Sequence, residues 1–399
     1  MEDVVHVPTG IRRGAYVPEL ESLRGIAILL VFVFHADALL GAPLRSRGQF
    51  WPALPMAFLW MGHTGVTLFF VLSAFLLSRP FLAEAYGGRH VSRREFYRRR
   101  ALRILPLFYV AVLVATVATS RHLSDLRHAF PHLCFLYAIP GAATSLFPYD
   151  AAWWSLSVEV QFYVVLPFVA LAFHRSLGTT LLLFTLLAAA WTAVMTGWLR
   201  VPLPGYAISL SLLGRAPPFL TGILAAWVYE RHGDALRNRL ARGRWLQRGG
   251  SDFILLGILA ALAAFLRLKL CTIRQNWSLE LLLLVPDAIL WALVVLGILL
   301  LPLKTRALFS NRFLQWLGVL SYSIYLAHFP LLYYSLGAAR KLAPPDSVGL
   351  WWNTGAAIWF TVATLSCLAL SAGTYRFIEH PFLVRNEPRN VPERPAQAT

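Results

Sequence analysis

The sequence predicts an all-α fold, a polytopic transmembrane helical bundle of about ten spans, and three observations carry that prediction. Of 399 residues, 58% are hydrophobic and only 14% charged, and mean hydropathy is +0.60, well above the balance of a soluble domain. Fourteen Trp and fourteen Tyr fit the enrichment of aromatic rings at membrane interfaces. The apolar residues gather in runs long enough to cross about 30 Å of hydrocarbon. An open sheet cannot span lipid, and the short alternating segments of a barrel are missing from the pattern.

Ten such runs lie near 24–41, 60–79, 101–119, 153–173, 178–198, 211–230, 252–270, 281–302, 313–336 and 352–377. The first holds two ionisable groups, Arg24 and His35, eleven positions apart. The third follows an arginine-rich loop, and the fourth opens at the Trp153-Trp154 pair, which marks an interface. Pro330 is expected to bend the ninth. Segment 131–147 is apolar but short, and Pro140 and Gly141 break it; it reads as a re-entrant or surface piece. With the amino terminus inside, 24 Lys and Arg fall on the cytoplasmic side and 10 opposite, with Arg24 and Arg215 alone placed within spans. That asymmetry puts both termini in the cytoplasm. The expected organisation is a cytoplasmic lead over 1–23, a transmembrane domain over 24–380, and a disordered cytoplasmic tail over 381–399.

Formal net charge is +17, which in a soluble protein would suggest nucleic acid. Here the cytoplasmic loops account for it, and no nucleic-acid partner is predicted. The 33 Arg against 3 Lys carry no mechanism of their own. Cys134, Cys271 and Cys367 lack paired or metal-like spacing, so neither a disulfide nor a metal is expected. Arg12 and Arg13, an apolar run and Ala36-Asp37-Ala38 superficially resemble a signal peptide. The polar lead is too long for one, and an uncleaved first span is expected.

Ionisable groups inside a span are costly and usually functional. A helix advances about 1.5 Å and 100° per residue, so Arg24 and His35 share a face roughly 16 Å apart. A cation at one level and an imidazole three turns deeper could grip an ionic substrate and do proton chemistry. Topology puts His35 roughly 9 Å, Glu159 about 8 Å and His328 about 12–13 Å below the outer surface. Three titratable groups from three helices at one depth suggest a shared polar cavity. Ser155, Glu159 and Tyr163 line one stripe of the fourth span. The carboxylate could orient an imidazole or bind a hydroxylated substrate, or it could belong to a structural network between helices. Arg99, Arg100 and Arg103 open the third span, with 99 and 103, or 100 and 103, on one face. Guanidinium clusters suit phosphate, although topology and anionic lipid also explain such a run. Ser73 and Ala74 are small enough for close helix packing alone to explain them. Tyr325 and His328 stand one turn apart. Glu379, at the cytoplasmic end of the last span, is expected to pair with Arg376 or a loop arginine. No Walker loop, GxGxxG, HExxH or CxxC occurs where it could matter.

Together these segments resemble the acyltransferase-3 family of bacterial integral membrane O-acyltransferases. Arg24 to His35 looks like the family's opening Arg/Lys-x10-His motif. Gly65 to Phe75, Arg100-Ala-Leu-Arg103-Ile-Leu-Pro106, Trp154 to Tyr163, Ser321 to Pro330 and Glu379-His-Pro381 follow in the family's order. Departures are Glu21-Ser22 for the common Asp-Gly, Ala74 for Gly, Val160 for a second Glu and Ala327 for Trp; none touches Arg24, His35 or Glu159. The resemblance implies an O-acyltransferase of the bacterial cytoplasmic membrane in its stand-alone transmembrane form. It would use acyl-CoA, acetyl by default, as co-substrate, with no permanently bound cofactor, and a sugar or glycan hydroxyl as acceptor. On that reading Arg24, Arg99, Arg100 and Arg103, with Ser73, bind the donor. His35 acts as general base or carries a transient acyl group, and Glu159 orients His35 or holds the acceptor. Ser155, Tyr163, Tyr325 and His328 line the acceptor pocket. A transporter or flippase of a lipid-linked glycan is the alternative from another class; no repeat symmetry between halves favours it.

Overall fold

The computed structural model describes residues 17–40, 56–137, 146–173, 175–195, 211–273, 279–342 and 354–384. Most of the lead over 1–23 and of the tail over 381–399 therefore lies outside the described residues. Ten long helices occur among the described residues, and no strand does. They are α1 (Pro18–Leu39), α2 (Thr64–Ala85), α3 (Arg93–Thr119), α4 (Trp154–Phe173) and α5 (Leu177–Met195). There follow α6 (Ala216–Ala241), α7 (Ser251–Ile273), α8 (Leu279–Leu300), α9 (Arg312–Leu342) and α10 (Thr354–Thr374), the last running on through a π-turn into His380–Val384.

Each of the ten apolar runs has become one of these helices, with boundaries set by local chemistry. Pro18 opens α1, and Glu19 and Glu21 stand in its first turn, where a fixed φ and negative charge both favour a helix start. Arg24 is thus six residues, about 9 Å, inside the helix rather than at its beginning. Ser92 caps α3 by accepting the Glu95 amide at 3.3 Å, so the arginine run is the first two turns of a span and not a loop. Segment 131–147 is no eleventh span in its described part: it forms the short helix Ala129–Leu133 and a set of turns. Asp150, which accepts the Leu146 amide and faces His132 Nε2 at 3.2 Å, ties those turns to the start of α4.

Seven of the helical segments are long and apolar enough to cross a membrane: α1 to α4, α7, α8 and the last. The ninth run falls short because α9 carries Ser321, Tyr322, Ser323, Tyr325 and His328, and the sixth because α6 runs on into Glu230, Arg231 and Asp234. On the outside of the bundle the exposed side chains are apolar, as Leu113, Val117, Phe168, Leu171, Leu182 and Leu186 show. An apolar outer face with polar groups turned inward is the arrangement that lipid demands.

α9 packs against both α1 and α10, while α2 packs on α1, α4, α6 and α8. The α1–α9 crossing is closest at two glycines. A Cβ on Gly25 would strike the Leu314 carbonyl oxygen, and one on Gly318 the Glu21 carbonyl oxygen. Small residues let the backbones meet. That approach brings the polar sides of α1 and α9 together.

Candidate active site

Five helices line one cleft, part of it open to solvent. α1 contributes Arg24, α2 Ser73, α3 Arg100 and Arg103, α4 Ser155, Glu159 and Tyr163, and α9 Ser321 and Tyr325. Arg24 sits one turn above Glu21, to which its Nη1 donates at 3.3 Å, and its Nη2 donates to Ser321 Oγ at 3.1 Å. Arg100 and Arg103 are three residues apart and so share one face of α3. The Arg100 guanidinium lies 6.0 Å from the centre of the Tyr163 ring. Glu159 is fixed by two hydroxyls: Tyr163 Oη donates at 2.5 Å, and Ser73 Oγ donates as well. Each arginine has a carboxylate in electrostatic range, Glu21 for Arg24, Glu159 for Arg100 and Glu379 for Arg103. Even so, Arg100 Nε and Arg103 Nη2 are buried with no hydrogen-bond partner among the described residues. Buried charged donors are normally satisfied, so these two are unfilled valences beside a cleft.

Tyr325 connects this cleft to a second group. Its hydroxyl donates to the Ala152 carbonyl and accepts from Ser155 Oγ at 2.6 Å, and its ring lies 5.7 Å from that of His328. One turn along α9, His328 Nε2 meets His35 Nδ1 at 3.1 Å. His328 is fully buried, whereas His35 is only partly so. Phe34 and Phe329 flank His35, with Phe329 edge-on at 5.2 Å, and His63 packs on Phe34.

Three expectations change and a fourth narrows. Glu159 does not join the histidines: both its hydrogen bonds go to hydroxyls, and it faces Arg100. α1 begins at Pro18 and not at Arg24, so Arg24 stands inside the helix, where it lines the same cleft as Glu159. The group that touches His35 is His328, which was placed in an acceptor pocket. Arg99 does not line the cleft; it is exposed and pairs with Glu95 at 2.7 Å, because one residue of α3 turns the side chain by about 100°. Of the two partners expected for Glu379, a loop arginine is there as Arg103, in electrostatic range, and Arg376 is turned away. A π-turn over Tyr375–Glu379 leaves Arg376 exposed and points Glu379 inward, where its carboxylate accepts from Ser323 Oγ. Ser73 and Ala74 divide the two explanations offered for them, since Ser73 holds Glu159 while Ala74 meets Gly222 of α6.

A family profile described as an acyltransferase domain matches residues 17–376, which hold every residue lining the cleft and both histidines. The chain belongs to the acyltransferase-3 family. Among curated relatives, the peptidoglycan O-acetyltransferase OatA of Listeria monocytogenes is 25% identical over 92% of this chain. A Bacillus subtilis protein named "Putative peptidoglycan O-acetyltransferase YrhL" is 27% identical, again over 92% of this chain. The chain spans 56% and 55% of the length of these two relatives. No solved structure matches it. In this acyltransferase-3 member a buried ion pair lies apart from the residues that the motifs single out. Lys269 of α7 and Asp287 of α8 form an ion pair at 2.9 Å with side chains 1% and 0% exposed. The charge count had treated Lys269 as a loop cation. Opposite charges on consecutive spans were the available signal.

Proposed function

We propose that this protein is a membrane-embedded O-acyltransferase that moves an acyl group, acetyl by default, from acyl-CoA to a hydroxyl of a cell-wall glycan. The observation that carries this reading is the cleft of Arg24, Arg100 and Arg103, with its two unfilled guanidinium donors, joined through Tyr325 to His35. Phosphate oxygens of CoA would fill those donors, since guanidinium groups bind phosphate through paired N–H contacts. The pantetheine arm, roughly as long as the Arg24–His35 separation, carries the thioester towards the imidazole. His35 takes the proton of the acceptor hydroxyl as its oxygen attacks the thioester carbonyl. The carbon–sulfur bond breaks, and the proton leaves with the thiolate, giving an ester and free CoA. Glu159, held by Ser73 and Tyr163, keeps Arg100 in place at the donor end. Peptidoglycan is the first acceptor to try, because it stands in the names of both relatives that cover nearly the whole chain. In this reading ten helices span the bacterial cytoplasmic membrane, with both termini in the cytoplasm. The arginine cleft then opens to the side where CoA is found.

The test is His35→Ala in purified, monodisperse protein given labelled acetyl-CoA and muropeptide or polymeric glycan acceptors. General-base catalysis contributes about 10²–10⁴-fold, and a loss of that size is expected while acetyl-CoA still binds. Transfer at a near-normal rate would overturn the assignment of His35.

A further inference from the structure

The hydrogen-bond partners around His35 and His328 determine where each proton sits. His328 Nδ1 lies 2.8 Å from the Tyr325 carbonyl oxygen and 3.2 Å from that of Ile324. Carbonyls only accept, so this nitrogen carries hydrogen. His35 Nδ1 lies 3.0 Å from the Val31 carbonyl oxygen and 3.1 Å from His328 Nε2. A bare Nδ1 on His35 would turn its lone pair on an oxygen lone pair, so this nitrogen carries hydrogen too. His328 Nε2 must then be the acceptor of that shared N–H. With both imidazoles neutral, one proton arrangement satisfies all four contacts: both rings are protonated at Nδ1. It leaves the basic lone pair of His35 on Nε2.

We propose that His328 is a positioning residue for the transfer reaction, fixing the tautomer and the ring angle of His35 so that Nε2 is the nitrogen that acts as base. This rests on the reading of His35 as the general base. In a serine-hydrolase triad a carboxylate holds the histidine Nδ1–H in the same way; here a neutral, fully buried imidazole does so. When His35 takes the acceptor proton on Nε2, its Nδ1–H stays on His328 Nε2, and no proton moves between the rings. A carboxylate at this place would add a full buried negative charge, whereas the imidazole adds only an acceptor dipole. α9 holds His328 by two backbone carbonyls, and the glycine crossing of α1 and α9 brings the two rings into register.

The experiment compares three variants in purified protein: His35→Ala, His328→Met and His328→Gln. Methionine fills the volume without the acceptor at Nε2, and glutamine restores an acceptor oxygen near that place. His328→Met should lower kcat about 100-fold, within the range of general-base contributions, with the acetyl-CoA KM within twofold. His328→Gln should recover at least a tenth of the wild-type kcat. The double variant His35→Ala/His328→Met should be no slower than His35→Ala alone, because residues acting as a unit are not additive. An inactive His35→Ala beside a fully active His328→Met overturns the positioning role and leaves the base intact. An active His35→Ala overturns the base itself. Nitrogen-15 spectra of histidine-labelled wild-type protein need no folded variant of His328, and the His35 signals are those lost in His35→Ala. A proton on Nδ1 of His35 is expected; a proton on Nε2 alone would overturn the proposal.

Discussion

Two of the buried polar clusters among the described residues meet the cost of burying charge in opposite ways. In the first, Lys269 Nζ donates to Asp287 Oδ2 at 2.9 Å, Thr64 Oγ1 donates to Oδ1 at 2.7 Å, and Thr67 Oγ1 donates to Oδ2 at 3.3 Å. Trp291 Nε1 completes it by donating to Thr64 Oγ1 at 2.7 Å. Every partner comes from α2, α7 or α8, and none of these residues lines the cleft. In the second, Arg24, Arg100, Arg103 and Glu159 come from three helices, face a cleft, and leave two guanidinium nitrogens without a partner. A closed network contributes helix register and gives a ligand nothing to bind. An open one costs stability and keeps valences for a ligand. Intramembrane charge is therefore two signals, and satisfaction separates them.

The sharpest way to break the comparison is at Lys269. Replacing it by Met leaves the Asp287 carboxylate buried without its cation, and breaking one side of a buried pair costs about 3–5 kcal/mol. Thermal unfolding in detergent should show a large drop in midpoint for Lys269→Met. The double variant Lys269→Met/Asp287→Leu should return most of it, because an apolar pair of similar volume is often neutral. Activity per folded molecule should hardly change in either. A double variant as unstable as the single one, or a loss of transfer in folded protein, would mean the network does more than tie helices together.

The open cluster should respond the other way. Arg100→Ala removes an unfilled donor, and its neighbour Glu159 keeps both hydroxyl partners, so little stability should be lost. A charge-assisted hydrogen bond contributes about 1.5–3 kcal/mol, which corresponds to roughly 10–100-fold in affinity. Calorimetric titration with acetyl-CoA should show a loss of that size. Unchanged affinity with lowered stability would place Arg100 with the closed kind.

How much of this was legible beforehand depends on what each feature needs. The ten helices needed only apolar run length, and all ten runs are there. The Arg24–His35 relation needed only helical period within one span. The place of Arg24 inside its helix needed the true start of α1, and that start is hidden in a polar turn, Pro18-Glu-Leu-Glu21, which looks like a lead. The His35–His328 contact needed to know that α1 and α9 are neighbours. Gly25 and Gly318 permit that approach, but single glycines do not name their partners. Lys269 and Asp287 were visible as residues and were passed over because a cation near a span end looks like a loop.

The smallest effect separates two adjacent arginines. Arg99 and Arg100 are indistinguishable in a charge count, and either can share a face with Arg103, as i, i+4 or i, i+3. Only the rotation of α3 against its neighbours decides, and it turns Arg100 into the cleft and Arg99 out to Glu95. An exposed i, i+4 pair contributes about 0.3–0.5 kcal/mol, so Arg99→Ala should move the unfolding midpoint by at most a degree or two. Acetyl-CoA affinity should stay within twofold of wild type at moderate salt, where distant exposed charges are screened. Measured beside Arg100→Ala in the same titration, this variant tests the phase of the helix. Equal losses at both positions would mean that the donor is held by the charge of the whole arginine run and not by the two buried valences.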